Sequence, residues 1–107
     1  MPQTEKTRRA MLEQFVAANP ADAFARFGLA MECASSGDNE TAIQHFRELL
    51  SRHPAYVTGY FQLGRLLARM ARIAEAKEAL TAGMEAARIA GDLHARDEME
   101  AFLRDLD

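Results

Sequence analysis

The side chains that could carry out catalysis in this sequence are one cysteine and three histidines. A catalytic thiol needs a base within hydrogen-bond reach, and a metal site needs ligands at defined spacing. Cys33 is predicted to lie on the packing face of a helix as an inert thiol, and His45 is predicted to face solvent. His53 and His94 do not have metal-ligand spacing relative to His45. We therefore expect no catalytic residue, no metal site and no cofactor.

Two further groups of residues could in principle support chemistry. Asp97, Glu98 and Glu100 form an acidic cluster, which we interpret as a solvated helix face rather than an acid–base pair. Gly59 and Gly64 lie inside a predicted helix and do not follow a strand, so they do not indicate a phosphate-binding loop. The residues that could react therefore favour a protein that is not an enzyme.

Composition limits the class of protein and its partners. The chain has 107 residues, which fits one domain, and its single cysteine allows no internal disulfide. With a net charge of −3 and interspersed charges, it offers no basic surface for nucleic acid. No apolar run is long enough for a signal peptide or a membrane span, so we expect no membrane contact and a cytoplasmic location.

Short breaks divide the chain into segments with helical periodicity. Pro20 and Pro54 are each predicted to occupy a first helical position behind a capping residue. Gly37 and Gly91 are predicted to end helices in the left-handed conformation, and a weaker break lies at 71–73. The pattern predicts six helices, at about 5–18, 21–35, 39–52, 55–69, 73–90 and 92–106.

The sequence repeats at an interval of 34 residues. Pro20 and Pro54 have this separation, and so do Phe27 and Phe61. The same interval relates Leu12, Phe46 and Leu80; Val16, Leu50 and Met84; Leu29 and Leu63; Ala34 and Ala68; and Ala42 and Ala76. These matches fall where helices would touch, and short connections make neighbouring helices antiparallel. The chain is therefore predicted to be a stack of helical hairpins.

A period of 34 residues with two helices per unit resembles the tetratricopeptide repeat family. The matching positions are Leu29, Ala30, Gly37, Asp38, Ala42, Phe46, Leu49 and Pro54 in a first unit, 23–56, and Tyr60, Leu63, Gly64, Leu67, Ala76, Leu80 and Gly83 in a second, 57–90. The second unit departs at Ala71, where the family has a turn glycine, and at Arg88, where it has a proline. We therefore expect the second helix of that unit to run longer. Gly83 is expected to mark a close contact, since glycine costs about 1 kcal/mol in a helix.

The resemblance implies an all-α fold of antiparallel helical hairpins, stacked as a short right-handed superhelix of about six helices. Residues 1–107 would form a single domain. In that domain, 5–18 would be an N-terminal packing helix and 92–106 a C-terminal capping helix. Such helices cover the open ends of a stack that could not otherwise bury its core.

The resemblance also implies a surface that binds a partner, because the first helices of successive units line a concave face in this family. Transferring that register places nine residues there: Phe24, Phe27, Met31, Tyr56, Phe61, Arg65, Arg69, Met99 and Phe102. Arg65 and Arg69 are four residues apart and so share one helical face. Two alternatives remain open. Phe24 or Phe27 could cover the first helix and leave no vacant groove, and the two arginines could form an ordinary solvated face.

The leading hypothesis is a module that binds a peptide or helix of another protein on this concave face. A second hypothesis, from another class, is a structural subunit that forms a homodimer through the same face, since two full repeats are few for such a stack. A small enzyme is the least favoured hypothesis, because it requires convergent polar groups that the sequence does not offer.

Overall fold

The computed structural model describes residues 7–106, which form six α-helices and no β-strand. The helices are α1 (Arg8–Ala18), α2 (Ala23–Ser35), α3 (Asn39–Arg52), α4 (Val57–Arg69), α5 (Ile73–Ala90) and α6 (Leu93–Asp105). The all-α prediction is therefore confirmed. The longer α5 is confirmed as well, since it has 18 residues against 13 in α4. The predicted helical residues 5 and 6 lie outside the described part of the chain.

Four of the helices begin at a polar side chain that caps the backbone. Thr7, Asp22, Asp38 and Asp92 each accept a hydrogen bond of 2.9–3.4 Å from the N–H three residues later. The prediction that Pro20 and Pro54 start helices is wrong, because both prolines lie in turns and α2 and α4 begin three residues later. At α2 the physical reason is Asp22, whose carboxylate provides the cap that the sequence pattern assigned to the residue before Pro20.

Three helix ends share one backbone conformation. Gly37, Ala71 and Gly91 have φ angles of 88°, 61° and 74°, in the left-handed region. At each end, the N–H of the next residue donates to a carbonyl five residues back in the helix, which satisfies an otherwise unpaired group. The left-handed ends predicted at Gly37 and Gly91 are confirmed. Ala71 adopts the same turn without being glycine.

We expect Ala71→Gly to raise the free energy of unfolding by about 1 kcal/mol, because a Cβ at positive φ crowds the following carbonyl oxygen. Urea denaturation followed by circular dichroism would measure the change. The matched control is Ala82→Gly, at an exposed position inside α5, which should lower stability by about 1 kcal/mol. If both substitutions destabilise the protein equally, the turn at Ala71 is not strained.

The chain divides into two compact units, with the boundary between Leu49 and Leu50. In the first unit α1 runs antiparallel to α2, since Arg8 pairs with Glu32 while Leu12 faces Gly28. The buried apolar residues of this unit are Val16, Ala25, Leu29, Ala30, Cys33, Ala42, Ile43, Phe46 and Leu49. The predicted packing positions in α2 and α3 therefore form its core.

The second unit packs α5 against both α4 and α6. A Cβ placed on Gly64 would lie 2.8 Å from Leu80 Cγ, and one placed on Gly83 would lie 2.5 Å from Tyr60 Cβ. These pairings make α4 and α5 antiparallel and confirm the expected close contact at Gly83. The buried apolar residues are Leu63, Leu66, Leu67, Ala76, Leu80, Ala86, Ala87 and Met99.

None of the helices within residues 7–106 has the combination of length and apolar character needed to cross a bilayer. The grouping of the whole chain into one domain with repeats at 23–56 and 57–90 stays a prediction.

Candidate functional site

The exposed face of α2 carries an apolar groove. Phe24 is 79% exposed and Met31 is 37% exposed, although both are large apolar residues. A cavity of about 360 Å³ lies along them. We call this surface the α2 groove, and its lining residues are Arg8, Phe24, Phe27, Gly28, Met31, Glu32 and Ser35. Within the first unit, the predicted residues Phe24, Phe27 and Met31 therefore lie together along this cavity.

Phe27 connects this groove to the core below it. Its ring meets the ring of Phe46 edge-on, with the centroids 6.2 Å apart and the planes at 66°. Phe46 is fully buried, so one edge of Phe27 is fixed while the rest of the half-buried residue lines the groove. The groove therefore has a rigid floor and, in Phe24, a freely exposed rim.

One end of the α2 groove leads into a polar cleft of about 600 Å³ at the turn between α2 and α3. Arg8, Glu32 and Ser35 line both cavities. In the cleft, Arg9 donates a 2.8 Å hydrogen bond to Asp38, which lowers the pKa of that carboxyl group below its ordinary value. The charges of the cleft are therefore paired with each other.

A second surface of predicted residues lies in the second unit. The guanidinium carbon of Arg65 is 5.6 Å from the centroid of the Phe61 ring, and Phe61 meets Phe102 edge-on at 5.9 Å. Arg69 lies one turn beyond Arg65 and is also exposed. We call Phe61, Arg65, Arg69 and Phe102 the α4–α6 patch. The structure thus brings these four predicted residues together on two adjacent helices.

The two remaining predicted residues lie elsewhere. Met99 is completely buried and packs with Leu80 and Ala87 in the core of the second unit. The prediction that Met99 contacts a partner is therefore wrong: counting helical register placed it on α6 correctly but could not show that α5 covers it. Tyr56 is half-buried at the N-cap position of α4, and its role in binding stays a prediction.

The histidine predicted to face solvent is instead part of a buried contact. His45 is half-buried, and its Nδ1 lies 3.4 Å from a guanidinium nitrogen of Arg26. Arg26 is itself buried and also donates to the carbonyl oxygen of Pro20. Burial and the neighbouring guanidinium both lower the pKa of His45. His45 therefore belongs to the packing between α2 and α3.

The thiol lies where the helical pattern predicted it. Cys33 is buried on the inner side of α2, and burial raises its pKa. A raised pKa keeps the thiol protonated, which is the opposite of what a nucleophile needs. Among the described residues, no three histidine, cysteine, aspartate or glutamate side chains are grouped in a way that could hold a metal ion.

The match to family models decides the classification. One tetratricopeptide repeat model matches residues 34–95, and a second matches residues 3–60. The chain belongs to the tetratricopeptide repeat family. The resemblance inferred from the period of 34 residues is therefore confirmed.

Three similar proteins match this chain over most of their length. A TPR repeat-containing protein of Pseudomonas aeruginosa is 34% identical over 96 residues, which cover 90% of this chain and 91% of the relative. The solution structure of a tetratricopeptide repeat domain protein from Salinibacter ruber is 31% identical with a TM-score of 0.78, covering 82% of this chain and 89% of that one. A protein of Bordetella parapertussis is 28% identical with a TM-score of 0.80, covering 95% of this chain and 89% of that one.

Two features of the surface escaped the sequence reasoning. The first is the contribution of Arg8 and Glu32 to the α2 groove, where their side chains approach to 3.8 Å. Antiparallel packing of α1 on α2 brings these positions together, so the signal was present but required both helices to be placed. The second is an apolar cavity of about 270 Å³ in the second unit, beside Ile89, which is 72% exposed.

Proposed function

We propose that this protein is an interaction module that binds a peptide or a helix of a partner protein, with no chemistry of its own. Tetratricopeptide repeats in general are protein-interaction modules. For this chain, the observation that carries the proposal is the exposure of Phe24 beside the α2 groove. A large aromatic ring that remains in solvent next to an apolar cavity is typical of a surface that a partner covers.

The dimensions of the α2 groove limit what it can accept. Phe24 and Met31 are seven residues apart, which is about 10 Å along a helix. A segment that covers both therefore needs about two turns of helix, or three to four residues of extended chain. Apolar side chains of the partner would fill the cavity over Phe27 and Gly28, as in the binding of an amphipathic helix in a groove.

The α4–α6 patch is the second contact surface in the proposal. It combines two aromatic rings with two exposed arginines, and both kinds of side chain are enriched at protein interfaces. Met99 is not part of the proposed surface, because its side chain is buried.

The test is a peptide selected for binding to the full chain from a displayed library of random 12-residue peptides. We expect Phe24→Asp to weaken the binding of the best selected peptide at least tenfold, because a charge at the rim opposes apolar contact. The variant should fold, since Phe24 is exposed and lies in the first turn of α2. An acidic side chain in the first turn interacts favourably with the helix dipole. Fluorescence anisotropy would measure the dissociation constant.

The matched control is Ile89→Asp, which introduces the same charge at another exposed apolar position. It should change the dissociation constant by less than about twofold. Equal loss in both variants, or no loss in either, would exclude the α2 groove as the binding surface. Light scattering tests the homodimer alternative. If the wild-type protein has a mass of about twice 11.9 kDa and the Phe24→Asp variant is a monomer, a second copy of the chain occupies the groove.

A further inference from the structure

The charge of α4 differs from that of the rest of the protein. The chain carries a net charge of −3, yet the charged side chains of α4 are two arginines and no acid. Neither Arg65 nor Arg69 has a carboxylate partner among residues 7–106, whereas Arg72 pairs with Glu75 and Arg88 pairs with Glu85. Within residues 7–106, the two positive charges of α4 therefore have no ion-pair partner.

Helix stability does not fully account for these arginines. A positive charge in the last turn of a helix interacts favourably with the helix dipole, and Arg69 is in that turn. Arg65 lies one turn earlier, where the dipole effect has largely fallen off. Arg65 is instead held over the ring of Phe61 by a cation–π contact.

The aromatic part of the α4–α6 patch is fixed by the core. Phe61 and Phe102 are partly buried, and both pack against the cluster of Leu80, Ala87 and Met99. The packed Phe61 ring gives the guanidinium group of Arg65 a cation–π partner, which favours one position of that group. A guanidinium group with a favoured position loses less conformational entropy when it binds a carboxylate than a freely rotating side chain does.

We infer that the α4–α6 patch binds an acidic segment of the partner, with carboxylates on Arg65 and Arg69 and an apolar side chain against the aromatic rings. This inference rests on the proposed function and specifies the partner's chemistry. The two arginines are separated by about 6 Å along the helix axis. Acidic residues two apart in an extended chain, or one turn apart in a helix, have a similar spacing.

The experiment uses the same random 12-residue library and compares the acidic content of peptides selected by two proteins. The wild-type chain should enrich aspartate and glutamate at two or more positions beside an apolar residue. Arg65→Gln with Arg69→Gln should lose the acidic enrichment and keep the apolar one. For the best wild-type peptide, the double variant should bind about tenfold more weakly at low salt, with the difference shrinking as salt increases.

Two further double variants separate charge from geometry. Arg65→Lys with Arg69→Lys keeps both charges but loses the planar donor pairs, so it should recover part of the affinity. Arg52→Gln with Arg88→Gln removes the same net charge at other exposed sites and should leave the selected sequences acidic.

Each outcome has a distinct meaning. Peptides that depend on Phe24 but show no acidic enrichment would overturn this inference and leave the proposed function intact. A failure to select any peptide would overturn both. A dimer that the Arg65→Gln, Arg69→Gln variant converts to a monomer would overturn the partner assignment, because the acids of a second copy would then occupy the patch.

Discussion

Met99→Ala is expected to lower the free energy of unfolding by about 3 kcal/mol, the usual cost of truncating a fully buried methionine. Its side chain has no exposed surface and packs with Leu80 and Ala87 where α5 meets α6. The truncation leaves a cavity that rigid neighbouring helices cannot fill, so the loss should exceed the transfer free energy of the missing atoms. Urea denaturation monitored by circular dichroism at 222 nm would measure it.

The matched control is Met11→Ala, since Met11 is 57% exposed on α1. That variant should differ from the wild type by less than about 0.5 kcal/mol. The comparison also tests whether Met99 stabilises the core of the second unit or contacts a partner. If Met99→Ala left stability unchanged and weakened peptide binding, Met99 would be a contact residue after all.

Gly83→Ala is expected to destabilise the protein by about 2 kcal/mol, although alanine is the better helix former by about 1 kcal/mol. A Cβ at this position would lie 2.5 Å from Tyr60 Cβ and 2.6 Å from Met99 Sδ. The sulfur belongs to a flexible side chain, but the Cβ of Tyr60 is fixed to the backbone of α4. The helices must therefore separate, which weakens packing on both sides of α5.

Gly28→Ala provides the control, because the same substitution is made inside α2 without a clash. The nearest atom to its new Cβ would be Leu12 Cδ2 at 3.8 Å, an ordinary contact distance. This variant should therefore gain about 0.5–1 kcal/mol from helix propensity. Thermal unfolding should show a lower midpoint temperature for Gly83→Ala and a higher one for Gly28→Ala than for the wild type. Changes in the same direction would mean that α4 and α5 can adjust to an extra methyl group.

The elements of the fold were predictable because their signals are local. Helical periodicity together with the glycines at 37 and 91 located the six helices of residues 7–106, with most ends within two residues. The resemblance to the tetratricopeptide repeat identified Leu80 and Gly83 as packing positions, and the structure places both in tight contacts. Ala71 was identified as the residue at a turn position that favours glycine, and its φ of 61° agrees.

The errors arose where a neighbouring helix decides the outcome. The register of α6 could not reveal that Met99 lies beneath α5, and the polarity of His45 could not reveal that Arg26 packs against it. The start of α2 is set by Asp22, which caps the helix, and not by the residue before Pro20. Burial of this kind depends on the relative position of two elements, which a pattern within one element does not encode.

The interleaving of buried and exposed side chains on α4 has a practical consequence. Leu63, Gly64 and Leu67 are buried, while Arg65 and Arg69 alternate with them on the solvent side. The exposed positions of α4 can therefore be substituted without disturbing its packing against α5. Protein engineers could use α4 as a scaffold, in which new binding specificities are obtained by exchanging a few exposed amino acids.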